Sequence, residues 1–224
     1  MEKQSVAETQ SVIVAHPVVA VLIVDDAKDA VPVAEALMAG GVKSIELTLR
    51  TDAAIEAVAA IKRAVPEMTL GVGTVIFPEQ VSPVAEAGAD FAVSPGFSRP
   101  VAEAALKVGL PFAPGIATPS DIEGALLLGF RILKFYPAEA MGGLRYLKSM
   151  TAPYHHLDLK FVPLGGINMG NLQDYLSSPL IAALGGSWIA KRELIQAKNW
   201  KQIEKNAREA MALAADVLET GGAS

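Results

Sequence analysis

The chain has 224 residues, 51% of them apolar, with a mean hydropathy of +0.35, a formal net charge of −5 and a pI near 5.3. That length suits one large domain with a sizeable core, and the acidic balance argues against a nucleic-acid or anionic-membrane partner. No apolar run approaches the ~18 residues of a membrane span, and a chain without cysteine has neither a disulfide framework nor a thiolate metal site.

Met1–Gln10 is polar and mixes acids with bases, unlike a secretory leader, so a cytoplasmic enzyme with an extra N-terminal segment is expected. Beyond it, short apolar runs alternate with alanine-rich helical stretches. The predicted strands are Val18–Val24, Ser44–Leu49, Thr69–Thr74, Phe91–Ser94, Pro111–Ala113, Arg131–Tyr136, Asp158–Pro163 and Ile181–Gly185. Helical stretches lie between them, including Ala27–Met38, Asp52–Ala64, Pro78–Ala87, Arg99–Val108 and Ser120–Leu128. Alternation of this kind means βαβ units and a parallel sheet. Eight units of about 25 residues predict an α/β fold of the closed (β/α)8 TIM-barrel type, one domain over residues 1–224 with its core at about 18–218. Gly40-Gly41, Gly88, Gly109 and Gly129 each stand where a helix ends and a strand is about to begin. A final helix, Trp200–Leu218, is expected to cover the last strands, and Gly221–Ser224 to fray. The rival architecture is an open doubly wound sheet, but its glycine-rich first turn is missing after Val24, where Asp25-Asp26-Ala27 stands.

The second strand, Ile45-Glu46-Leu47-Thr48-Leu49-Arg50, alternates apolar and polar residues. Side chains alternate faces along a strand, so Glu46, Thr48 and Arg50 share one. Helices cover the outside of a barrel, which sends this polar face into the lumen. A Glu46–Arg50 structural ion pair is one reading. A functional site at the carboxyl end, where barrel enzymes place their chemistry, is the other. Gly71-Val72-Gly73-Thr74 ends the third strand. Its two glycines weaken a strand unless a ligand or a backbone must come close. Ser94-Pro95-Gly96 ends the fourth.

The sixth strand carries Lys134 within Phe130-Arg131-Ile132-Leu133-Lys134-Phe135-Tyr136-Pro137. Burying a lysine disfavours its charged form, and a neutral amine in an apolar pocket can attack a ketone to form a Schiff base. Alternatively, the stem lies along the strand end and the ammonium reaches water. Pro163-Leu164-Gly165-Gly166-Ile167 and Leu184-Gly185-Gly186-Ser187 close the seventh and eighth strands, where barrels often bind phosphate through backbone N–H groups. Ser187 adds a hydroxyl. His16, His155 and His156 do not assemble a metal site with carboxylates at the strand ends, and no P-loop or Gly-x-Ser-x-Gly elbow is present.

Taken together, Glu46-Leu47-Thr48-Leu49-Arg50, Gly71-Val72-Gly73-Thr74, Ser94-Pro95-Gly96, Leu133-Lys134-Phe135-Tyr136-Pro137-Ala138-Glu139-Ala140, Gly165-Gly166-Ile167 and Gly185-Gly186-Ser187 closely resemble 2-dehydro-3-deoxy-6-phosphogluconate (KDPG) aldolase. This is the bacterial class I family, often also active as 4-hydroxy-2-oxoglutarate (KHG) aldolase. The resemblance runs from about Val18 to Trp188. It implies a homotrimeric (β/α)8 barrel without metal or other cofactor, acting on a 2-keto acid and a phosphorylated aldehyde. By the resemblance Lys134 is the Schiff-base lysine and Glu46 the general acid/base. Arg50 and Thr74 hold the pyruvyl carboxylate, Pro95 and Phe135 line the pocket, and Gly165, Gly166, Gly186 and Ser187 hold the phosphate. Arg50, a neighbouring cation, is also expected to disfavour the ammonium form of Lys134. One departure stands out: Leu164 occupies the place of a family threonine, which removes a hydroxyl from the pocket. The competing readings are a phosphate-binding barrel with non-covalent isomerase or synthase chemistry, and a catalytically silent barrel that senses a phosphorylated metabolite.

Overall fold

The computed structural model describes residues 3–221. An N-terminal helix, α1 (Lys3–Thr9), runs into a 3-10 turn over Gln10–Val14. The strands are β1 (Val18–Leu22), β2 (Ser44–Thr48), β3 (Thr69–Gly73), β4 (Phe91–Val93), β5 (Phe112–Ala113), β6 (Gly115–Ile116), β7 (Ile132–Phe135), β8 (Lys160–Pro163) and β9 (Leu184–Gly186). Between and after them come α2 (Ala30–Ala39), α3 (Ala54–Ala64), α4 (Val81–Glu86), α5 (Arg99–Val108), α6 (Pro119–Leu127), α7 (Gly143–Thr151), α8 (Leu172–Leu176), α9 (Arg192–Gln196) and α10 (Trp200–Gly221). The expected fraying of Gly221–Ser224 concerns, beyond Gly221, residues outside the described ones.

All the strand pairings are parallel. A six-stranded sheet has the order β5-β4-β3-β2-β1-β9 and a three-stranded sheet the order β6-β7-β8. The fold is therefore α/β, with a curled parallel sheet and helical crossovers. The predicted strand Pro111–Ala113 continues further than expected but is interrupted, because Pro114 has no N–H to give the ladder. Its carbonyl still accepts from Lys134 N at 3.0 Å, and the chain resumes as β6. The predicted strand Ile181–Gly185 is likewise divided. Ile181 bridges to Phe161 of β8, whereas Leu184–Gly186 pairs with β1.

Strand alternation sorts the apolar residues into two cores. Val18, Ala20, Leu22, Ile45, Leu47, Leu133 and Phe135 face the helices and belong to the larger core. Val19, Phe91, Val93, Ala113, Ile132, Val162, Leu164 and Ala183 form a smaller core on the other face, joined by Ile13 from the N-terminal turn. Helix α10 covers more than the last strands. It packs on α2 and α8, and a Cβ on Gly40 would stand only 2.4 Å from that of Ala207.

The amino ends of the strands are sealed by Gln10, which is fully buried. Its amide donates to the carbonyls of Phe112 (2.8 Å) and Ile132 (2.7 Å) and accepts from the N–H groups of Arg131 (2.9 Å) and Ile132 (3.1 Å). One polar side chain thus partners backbone groups of β5 and β7 that have no neighbour there. Gln10→Ala strips these partners at once, and each buried polar group left unpaired costs about 1–3 kcal/mol. The unfolding free energy should fall by ~2–4 kcal/mol, measured from the denaturation midpoint at constant m-value.

Candidate active site

Lys134 sits on β7 with register partners Gly115 on β6 and Val162 on β8. Glu46 sits on β2, opposite Val21 and Gly71. Both point into the smaller-core side of the sheet, and they meet there. Lys134 Nζ lies 2.8 Å from Glu46 Oε1 and 3.1 Å from Oε2, and the two residues are only 5% and 3% exposed. Neither a snorkelling lysine nor a Glu46–Arg50 pair forms. Arg50 instead donates through Nε to Thr74 Oγ1 at 3.2 Å, so the charge in contact with Nζ is the Glu46 carboxylate.

The two glycines of β3 make room for side chains rather than for a ligand or backbone. A Cβ on Gly71 would stand 2.1 Å from the Phe91 ring, and one on Gly73 2.0 Å from Glu46 Oε1. Gly73 is the space into which the carboxylate folds. Thr74, the next residue, adopts a left-handed φ of 63°. That conformation is costly for a β-branched residue, and it leaves the Thr74 hydroxyl in contact with Arg50.

Above the ion pair opens a cleft of about 230 Å³, lined by Glu46, Arg50, Lys134, Tyr136, Leu164, Gly165, Gly186, Ser187 and Arg192, with Val21, Ile23, Gly185 and Ala190 between them. Six of the expected site residues are therefore brought together directly, and Thr74 joins them through Arg50. Phe135 is not among them. Neighbouring residues on a strand face opposite ways, so Phe135 stacks on Tyr146 of α7 with ring centroids 6.2 Å apart. Tyr136 takes its place in the cleft, its ring centroid 5.7 Å from Lys134 Nζ. Alternation counted from Lys134 identifies Tyr136. Pro95 also stays out of the lining: its backbone packs where a Cβ on Gly115 would be, 2.3 Å away.

The loop after β8 is shaped by its neighbours. Gly165 and Gly166 take φ values of 92° and 87°, which glycine adopts freely. A Cβ on Gly166 would strike Glu139, 2.5 Å away, so Gly166 serves the packing of the loop rather than the wall of the cleft. The loop carbonyls are occupied: Gly165 O accepts from Glu139 N at 3.0 Å, and Gly166 O from the Asn168 and Asn171 amides at 2.9 and 3.1 Å. The N–H groups of Gly165 and Gly166 donate to no acceptor among the described residues, and such groups suit an anion. Glu139 in turn accepts from the Tyr175 hydroxyl. Burial and that carboxylate push the Tyr175 phenol well above its ordinary range, keeping it a donor.

A model of the KDPG and KHG aldolase family matches residues 9–206. The chain belongs to this family. It is 42% identical over 202 residues to the KHG/KDPG aldolase of Escherichia coli K12, covering 90% of this chain and 94% of that protein. Among solved structures, a KDPG aldolase from Legionella pneumophila, with pyruvate captured at low pH as a covalent carbinolamine intermediate, superposes with a TM-score of 0.85 at 40% identity. That match covers 90% of this chain and 97% of the other. The aldolase of Zymomonas mobilis ZM4 with 3-phosphoglycerate gives a TM-score of 0.82 at 38% identity, covering 91% and 94%. Among the described residues no three His, Asp or Glu side chains gather at ligating distance. Nor is any described helix long and apolar enough to cross a membrane.

Gly73→Ala tests the carboxylate niche. The new methyl group must displace the buried Glu46 from Lys134, and a misplacement of about 1 Å costs on the order of 100-fold in rate. Aldolase turnover should drop by that factor in steady-state assays, while circular dichroism still reports a folded protein.

Proposed function

We propose that this aldolase works through a Schiff base on Lys134, cleaving 2-dehydro-3-deoxy-6-phosphogluconate to pyruvate and glyceraldehyde 3-phosphate. 4-Hydroxy-2-oxoglutarate, giving pyruvate and glyoxylate, is a second substrate. The observation that carries the reading is the buried 2.8 Å contact between Lys134 Nζ and Glu46 at the floor of the cleft. Passing a proton from the ammonium to the carboxylate frees the amine lone pair for attack on the C2 ketone. Glu46 then returns the proton as the carbinolamine loses water. The iminium accepts the electron pair of the C3–C4 bond while Glu46, directly or through water, takes the C4 hydroxyl proton. Glyceraldehyde 3-phosphate leaves, the enamine is protonated at C3, and water hydrolyses the pyruvate imine.

Arg50 and Thr74 are assigned to the pyruvyl carboxylate, supported by their mutual hydrogen bond beside Glu46. Gly165, Gly166, Gly186 and Ser187 are assigned to the phosphate, supported by the free N–H groups of the first two. Leu164 walls the cleft with carbon where the family places a threonine hydroxyl, so the sugar hydroxyls find one partner fewer. The two sheets are read as one closed (β/α)8 barrel in a single domain. The continuity of β5 with β6 through Pro114 at one junction, and the Phe161–Ile181 bridge at the other, support this. The family resemblance supports a metal-independent homotrimer and the composition a cytoplasmic one, and light scattering on the purified protein tests the trimer.

Treatment with pyruvate and sodium borohydride, followed by intact and peptide mass spectrometry, should yield a reduced pyruvyl adduct on Lys134. A folded protein that gives no adduct would exclude the covalent route and favour a non-covalent phosphate barrel, and ligand-induced stabilisation without pyruvate release would mark a sensor. Lys134→Ala should abolish turnover, whereas Glu46→Gln should lower it roughly 10²–10⁴-fold. Each variant leaves a buried charge unpaired, which costs about 3–5 kcal/mol, so both assays belong below the melting point of the variant.

A further inference from the structure

At the rim of the cleft, the loop after β1 is tied to the start of α9. Arg192 is part of the cleft wall, alongside Ser187 and Gly186. Its Nε and Nη2 both donate to the Asp25 carboxylate, the first at 2.9 Å, and Gln196 Nε2 donates to the same carboxylate at 2.8 Å. A guanidinium carries five N–H donors in a planar fork. Asp25 occupies one edge of that fork, while Nη1 has no hydrogen-bond partner among the described residues. The other cations in the cleft are already engaged, Lys134 with Glu46 and Arg50 with Thr74.

We infer that Arg192 is a substrate-binding residue that reads the distal anionic group of the acceptor, with Asp25 and Gln196 as positioning residues. The inference rests on the aldolase reading and deepens it. The glycine loop offers an anion only backbone dipoles, and Ser187 one hydroxyl; Arg192 adds a full charge with a fixed plane. Guanidinium and phosphate match in shape, and a fork held in place beforehand loses little freedom on binding. The lining also includes Val21, Ile23, Leu164 and Ala190, whose side chains have no hydrogen bonds to offer, which leaves few polar groups besides Tyr136 and Glu46 for the acceptor's hydroxyls. Its charged end then supplies a large share of the grip, and the enzyme favours phosphorylated over neutral aldehydes. Asp25 is available throughout the working range. Hydrogen bonds from Arg192 and Gln196 hold its pKa at about 2, below its ordinary value, so the clamp is lost only as pH falls through that region.

The test is condensation of pyruvate with glyceraldehyde 3-phosphate and, separately, with glyceraldehyde. For Arg192→Gln, the ratio of kcat/KM for the phosphorylated over the neutral aldehyde should fall by roughly 10-fold or more, the loss of a charge-assisted hydrogen bond. Equal losses with both aldehydes would show that Arg192 is only a strut between two loops, and an unchanged ratio would overturn the inference too. Should the variant misfold, the wild-type protein decides through phenylglyoxal labelling read by peptide mass spectrometry. Inorganic phosphate should protect Arg192, and labelling at the same rate with and without phosphate would overturn the assignment. The borohydride-trapped pyruvate adduct on Lys134 separates the two levels: its absence sinks the aldolase reading, whereas an adduct with an unaltered aldehyde preference sinks only the role of Arg192.

Discussion

The Lys134–Glu46 ion pair places two opposite charges inside a layer of parallel strands that is mostly apolar, and much of the surrounding structure follows from that demand. Removing both ions from water is expensive, and their attraction offsets the cost only when the geometry is close and direct. The carboxylate meets the ammonium through both oxygens. It can do so because Gly73 has no side chain where Glu46 must lie. Below the pair, Val19, Phe91, Val93, Ala113, Ile132 and Val162 pack as a small apolar floor. An uncharged floor leaves each ion with the other as its chief partner, and a proton passed between them stays within the pair. Such an exchange is what the proposed Schiff-base mechanism asks of Lys134 and Glu46.

Around this pair, the two ends of the strands serve different purposes. At the amino ends, Gln10 satisfies backbone groups of β5 and β7 and closes the interior. At the carboxyl ends, the loop after β8 is held from outside through its carbonyls, which leaves the Gly165 and Gly166 N–H groups without an acceptor among the described residues. Glu139, Asn168 and Asn171 take up the carbonyls of Gly165 and Gly166, and Tyr175 fixes Glu139 in turn. Positioning groups of this kind give a binding site its precision. Arg192 and Asp25 repeat the pattern at the rim, one residue presenting donors and the other fixing their direction.

Much of this was legible in the residues. Alternation along Ile45–Arg50 placed Glu46 on the inner face, whereas the apolar run around Lys134 left open whether its amine is buried or reaches water. The same rule, counted from Lys134, separates Phe135 from Tyr136: Phe135 packs on α7 and Tyr136 lines the cleft. The glycines of β3 were readable as sites of close approach, but not what approached, because Phe91 and Glu46 are contributed by other strands. Pro114 divides a strand that its apolar neighbours alone would extend.

The sequence by itself determined the order of elements, the parallel pairing and the inner faces of the strands. These depend on periodicities within a few residues and on the handed, local connections of βαβ units. Only the tertiary structure decided which inward groups touch. Glu46 and Lys134 are 88 positions apart, Gln10 and Ile132 122, and Arg192 and Asp25 167. No local pattern encodes such contacts, because they arise when the sheet curls and brings distant strand ends within hydrogen-bonding distance. A polar residue such as Gln10 in a mixed N-terminal segment looks like solvated surface until the strand ends it caps are in place, and nothing near Arg192 in the sequence points to Asp25 as its partner.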